Sequence, residues 1–206
     1  MKKTLIVGAV AGLAIMTACT DHEVIPPPVP LVDLDCKCEG TITNWTGDSS
    51  VVYNDTCTYS STKTINTGSL SEAQYYAQFQ NLAMTGGFEL EMRSLYWNDQ
   101  GENNPTSSDW QAYFEGNLNP GYAPTTLEDG AVLRWTDPNG RVWTSDTSTI
   151  CLSNFTFNLF TYDSDTTGEY MEFDAVAHGT LWNSDITPDS SICFSNLHLK
   201  SAFRRE

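Results

Sequence analysis

From residue 36 onward, apolar and polar residues alternate at a period of two more often than they recur at helical spacing, which predicts strands buried on one face. The second half is the clearest. "AVLRWT" and "RVWTSD" flank Asp137–Gly140 (DPNG), where Pro138 presets the turn and Gly140 accepts positive φ, so a hairpin is predicted with Trp135 facing Trp143. "NFTFNLFTYD" places Phe155, Phe157 and Leu159 on one face. "EYMEFDAVAHGTLWN" continues the alternation through Phe173, Ala175 and Ala177, and "SICFSNLHLKSAF" through Ile192, Phe194 and Leu197. Earlier, "GGFELEMRSLYW" puts Phe88, Leu90, Met92 and Tyr96 on one side, while "TITNW" and "SVVYN" pair about the turn "TGDS". Seven or more strands at short spacing predict an all-β fold, an antiparallel two-sheet β-sandwich with one or two short helices.

The helices are expected in two places. "SSDWQAYFEGN" begins with Ser108 or Asp109 as a cap and stops at Gly116. "SLSEAQYYAQFQNLAMTGG" is ambiguous: Ser69 with Glu72 forms a capping box and Gly86 a stop, yet Ala73, Tyr75, Ala77 and Phe79 alternate with Gln74, Tyr76, Gln78 and Gln80 as in a strand. Helix formers dominate residues 70–84, and a helix is the expectation there.

The first thirty residues follow another logic. Lys2 and Lys3 precede an apolar run from Leu5 to Met16, a dozen residues where a spanning helix needs roughly 20. A basic start, a short apolar middle and the small residues Thr17 and Ala18 describe a secretory signal peptide, residues 1–18. The closing "MTAC" resembles the lipobox of bacterial lipoproteins, which implies that Cys19 is lipidated and becomes the new N-terminus. Residues 19–35 carry Pro26, Pro27, Pro28 and Pro30 without apolar periodicity and read as an extended tether. Asp21 and Glu23 resemble the acidic export signal of surface-exposed Bacteroidetes lipoproteins. The expected location is the outer membrane, with display at the cell surface implied by those two acids. Residues 36–206 are then a single domain, long enough for a sizeable core.

Removing residues 1–18 takes away two of the ten basic residues and none of the 26 acidic ones, leaving a formal charge of −18. Nucleic acid is excluded as a partner by that balance, because phosphate backbones are bound by basic patches. Glycans, cations, peptides and other proteins remain as ligand classes, beside the membrane held through the lipid anchor. Cys36, Cys38, Cys57, Cys151 and Cys193 read as disulfide candidates in an exported chain. Cys36 and Cys38 are too close to favour each other, so one of them is expected to bridge to Cys57. Cys151 would bridge to Cys193, and one cysteine is left over.

Residues Tyr113–Asp146, "YFEGNLNPGYAPTTLEDGAVLRWTDPNGRVWTSD", resemble a broad, uncharacterised group of small exported Bacteroidetes lipoproteins. The shared pattern is Y/W-x-D-x-N-G-x-x-W, matched here by Trp135, Asp137, Asn139, Gly140 and Trp143, followed by Thr144. The resemblance extends over residues 75–203. It implies a secreted β-sandwich and no activity.

Catalytic motifs are absent: there is no HExxH, no GxSxG and no phosphate loop. His22 lies in the tether, and His178 and His198 lie in predicted strands. Glu89 and Glu91 share a strand face, a spacing that either a glycosidase pair or a solvated surface explains. "DSDTTGEYMEFD" has the oxygen donors Asp163, Asp165 and Thr167, glycine at 168 and Asp174 twelve positions from the start, as in a calcium loop, although the polar tip of a hairpin accounts for the same residues. "WNDQGENN" offers Trp97 beside Asn98, Asp99 and Glu102, a ring with amide and acid groups that suits a sugar. The expectation is a lipid-anchored, non-catalytic interaction module without a cofactor, with calcium at that loop as the alternative to a polar hairpin tip. An extracellular glycan hydrolase and an envelope lipoprotein binding only proteins are the alternatives.

Overall fold

The computed structural model describes residues 32–206 apart from 45–46, 83–85, 124, 126–127, 184 and 186–189. Cys19, His22 and the segments assigned to export and most of the tether lie outside the described residues. The elements run β1 (Lys37–Asn44), β2 (Gly47–Val52), β3 (Thr56–Thr64), β4 (Ser71–Gln80), β5 (Gly87–Trp97), α1 (Ser107–Gly116), β6 (Gly130–Thr136), β7 (Val142–Asp146), β8 (Asn154–Asp165), β9 (Gly168–Asn183) and β10 (Ser190–Arg204). The fold is all-β and antiparallel, with one helix among the described residues.

Where two separate sheets are predicted, hydrogen bonding joins the ten strands into one, in the order β2-β1-β10-β9-β7-β6-β5-β4-β3 with β8 also on β9. The reason lies in β9. Its first part pairs with β8 as far as His178, and Thr180–Trp182 pair with β7, while β10 runs along the opposite edge. One long strand therefore belongs to both halves. The sheet curls until β3 and β4 pack against β10, and Tyr59 of β3 meets Tyr170 of β9 edge-on at 6.3 Å.

Residues 70–84 correct the helix expectation: Ser71–Gln80 is a strand, paired with β3 on one side and β5 on the other. Ala73, Tyr75, Ala77 and Phe79 are buried and the residues between them face outward. Burial of a period-two face outweighs the local helix preference of alanine, glutamate and glutamine. The second helix forms as expected, with its cap two residues before the earlier of the two predicted ones. Thr106 is the N-cap and its hydroxyl accepts from the Asp109 N–H at 3.1 Å.

Two bulges re-aim side chains that the alternation assigns to the core. Between Phe157 and Leu159 the register of β8 slips by one residue, so Leu159 is 59% exposed and Phe160 turns inward to meet Phe157 at 4.5 Å. Against Ala73 and Tyr75, β5 carries one residue more than β4, which inverts its remaining side chains. Tyr96 is consequently 47% exposed and Trp97 is buried.

The predicted Asp137–Gly140 hairpin is present. Gly140 has φ of 79°, and the buried Asp137 carboxylate accepts from the N–H groups of Asn139 (2.8 Å) and Arg141 (3.0 Å) and from Trp143 Nε1 (3.3 Å). Trp135 and Trp143 are register partners with ring centres 6.4 Å apart. Disulfides join Cys36 to Cys57 and Cys151 to Cys193, and Cys38 is the free, buried cysteine. Burial first, and Glu39 second, push the Cys38 thiol well above its ordinary pKa, so it is an inert core residue.

Candidate functional site

Beyond the bulge, the end of β5 borders a groove. The end of β5 (Leu95, Tyr96, Trp97) and the following Asn98 form one side, α1 supplies Asp109, Ala112 and Tyr113 as the other, and Leu70 lies at the margin; together they border a wide-open depression of about 530 Å³. The helix wall is anchored at its start. Thr106 Oγ1 bonds Asp109 Oδ2 at 2.8 Å, and the preceding loop is held by Lys63 Nζ on Asn104 Oδ1 (2.5 Å) and Arg205 Nη1 on the Pro105 carbonyl (2.8 Å). Asp109 in the first turn also opposes the positive end of the helix dipole.

Burial holds the underside of α1. Trp110 and Phe114 are fully buried, Phe114 stacks on Phe203 at 4.8 Å, and Tyr75 meets both helix rings edge-on. Above this aromatic layer the groove combines a half-exposed ring, Tyr96, with an amide and a carboxylate. Tyr113 has its phenol pKa raised, chiefly by burial and further by Asp129, so the hydroxyl stays protonated and able to donate.

Of the four residues that the sequence groups around Trp97, the structure brings Trp97 and Asn98 to this groove and leaves two outside it. Asp99 Oδ1 accepts from the Asn103 N–H at 2.9 Å and so closes its own loop, in which Asn103 has φ of 59°. Glu102 is exposed on that loop. Trp97 is only 4% exposed, so it is no open stacking platform, and Tyr96 holds the exposed position instead. Asp109 and Tyr113 could not be grouped with Trp97 from spacing alone, because the helix returns over the sheet only in three dimensions.

The calcium-loop residues are placed apart. Asp165 and Gly168 are partners at the end of the β8–β9 hairpin, whereas Asp174 pairs with Leu159, about 20 Å further along the strands at the usual rise per residue. Asp165 Oδ1 accepts from the N–H of Thr167 (2.6 Å) and of Gly168 (3.2 Å), and Oδ2 accepts from the Val32 N–H (2.9 Å). These bonds, led by the Thr167 hydroxyl, hold its pKa down to about 2. Asp163 accepts from its neighbour Ser164, and Asp174 bonds Lys200 Nζ at 3.3 Å and Asn158 Nδ2 at 2.9 Å. The twelve residues form a hairpin tip and its flanking strands rather than a loop with convergent donors. Among the described residues, no three His, Cys, Asp or Glu side chains gather as a metal site.

Glu89 and Glu91 do share a face, and both are engaged there. Arg134 places Nη1 on Glu89 and Nη2 on Glu91, each at 2.6 Å, and Arg93 contacts Glu91 through Nε at 2.5 Å and Nη2 at 3.0 Å. Arg93 continues to the Thr125 carbonyl at 2.6 Å. Burial raises the Glu91 pKa, but the hydrogen bonds from Arg93 and Arg134 outweigh it, and the carboxylate is held below its ordinary value. A glycosidase acid needs the opposite shift. His178 and His198 lie in β9 and β10, and His178 Nδ1 accepts from the Asn196 N–H at 3.3 Å.

Among the described residues, no helix is long and apolar enough to cross a membrane. Comparison with protein-family models, curated proteins and solved structures finds no match.

Proposed function

We propose that this protein is an exported, lipid-anchored envelope lipoprotein whose domain is a non-catalytic binding module, with the groove between β5 and α1 as its ligand site. The observation that carries the reading is the convergence of Tyr96, Trp97, Asn98, Asp109 and Tyr113 on one groove beside an anchored helix. Binding sites favour concave, aromatic-lined surfaces with a few placed polar groups. The curled sheet is read as a β-sandwich continuous along one side, and the resemblance to small Bacteroidetes lipoproteins agrees with outer-membrane anchoring through Cys19. The hydrolase alternative is disfavoured because Glu89 and Glu91 are occupied by arginines.

Two measurements test the reading. Cys19→Ser should abolish incorporation of labelled fatty acid and release the protein from membranes; retention with full labelling would refute the anchor. Tyr96→Ala with Asn98→Ala should remove the ligand-dependent rise in melting temperature seen when envelope polysaccharides or envelope proteins are added to the unaltered protein. At a ligand concentration a hundredfold over Kd that rise reflects about 2.7 kcal/mol. A rise that survives both substitutions places the ligand elsewhere.

A further inference from the structure

Among the polar atoms shielded from solvent without a hydrogen-bond partner are four on aromatic side chains around α1: Trp97 Nε1 and Tyr113 Oη, which belong to residues that line the groove, and Trp110 Nε1 and Tyr75 Oη in the layer beneath. Native proteins satisfy most buried polar groups, because an unpaired one costs about 1–3 kcal/mol. Trp110 and Tyr75 are sealed under the helix, but Trp97 and Tyr113 border the groove, where a partner outside the chain could supply the missing hydrogen bonds.

The chemistry of these atoms restricts what that is. An indole N–H only donates, so its partner must offer an acceptor, which an ammonium group cannot. An anion would supply acceptors, but Asp109 lies in the wall, Asp129 bonds the Tyr96 hydroxyl at 3.2 Å, and the whole chain carries −16. Like charges at a binding surface repel. What remains is a neutral group whose oxygens both accept and donate: accepting from Trp97 and Tyr113, donating to Asp109 and Asn98, and presenting a flat face to the Tyr96 ring. A sugar ring carries all three properties at once.

We propose that the groove takes a neutral saccharide, with Trp97 Nε1 and Tyr113 Oη as its buried hydrogen-bond donors. The proposal rests on the reading of this groove as the ligand site. Because both atoms are shielded from solvent in the free protein, binding must shift the side chains that cover them.

The test uses full-length ¹⁵N-labelled protein titrated with neutral hexose, N-acetylhexosamine and pentose tetrasaccharides, with a uronate tetrasaccharide and a neutral tetrapeptide alongside. One of the neutral saccharides is expected to shift the Trp97 indole resonance, assigned by its loss in Trp97→Phe. Tyr113→Phe, which keeps the ring and removes only the hydroxyl, and Trp97→Phe, compared at a temperature where the variant is fully folded, are each expected to weaken binding about five- to tenfold. If the uronate or the peptide moves that resonance and no neutral saccharide does, the saccharide class is overturned while the groove stands as the ligand site. Saccharide binding that leaves Trp97 and Tyr113 unaffected, or no binding by any of the five, overturns both.

Discussion

Glu91 is 1% exposed and still ionised, held between Arg93 and Arg134 on the face of the sheet. Removing one partner from such a cluster leaves uncompensated buried charge, and Glu91→Ala is expected to cost about 3–5 kcal/mol, measured by urea unfolding. The same group sets an acid limit. A carboxylate whose pKa is lowered on folding contributes fully above its unfolded value, near 4.3, and loses that contribution as pH falls through the lower folded value. The melting temperature should therefore fall below about pH 4.3, and less steeply in Glu91→Gln; an equal fall in both would remove Glu91 from the account. The charge pattern "ELEMR" was visible in the sequence, but that a single guanidinium from β6 serves both glutamates depends on register, which one strand's residues cannot reveal.

At the scale of elements, the β8 bulge makes a sharp distinction between two neighbouring apolar residues. Phe157→Ala should cost about 3–5 kcal/mol, whereas Leu159→Ala should lie within about 0.5 kcal/mol of the parent by the same unfolding measurement. Equal losses would mean that the strict alternation holds and the bulge is absent. The alternating stretches and the Asp137–Gly140 hairpin were legible because each is decided locally, by side-chain period and turn chemistry. The bulges were not, since they are registered against a partner strand. Tyr96 and Trp97 exchanged places for that reason, and with them the exposed ring of the candidate site. Residues 70–84 are not legible from composition, which favours a helix, because their burial is settled by β3 and β5 and favours a strand.

Across the whole molecule, two disulfides reinforce the curled sheet where hydrogen bonds do not close it. Cys36–Cys57 joins the approach to β1 with β3, at opposite ends of the strand order, and Cys151–Cys193 ties the segment before β8 to β10. Loop entropy assigns each about 3–4 kcal/mol, so the double variant Cys151→Ala with Cys193→Ala should lose about that much, and unchanged denaturant midpoints would count against a native bridge there. The pairing was readable down to a choice between Cys36 and Cys38. Cys38 is buried in β1 while Cys36, one residue before that strand begins, is only half-buried, and alternation could not tell them apart because residues two apart share a strand face.

The strand order carries a consequence for how the chain acquires its shape. β10 follows the other nine strands in the chain, yet it lies between β1 and β9 and runs along most of both. Until it is available, β1 and β2 have nothing to dock on and β9 keeps one edge bare. The fold is thus slow by construction, since its central seam joins residues about 160 positions apart and such long loops must close before they are rewarded. A chain threaded through a membrane from its N-terminus would remain unfolded, and so remain threadable, until nearly all of it had passed.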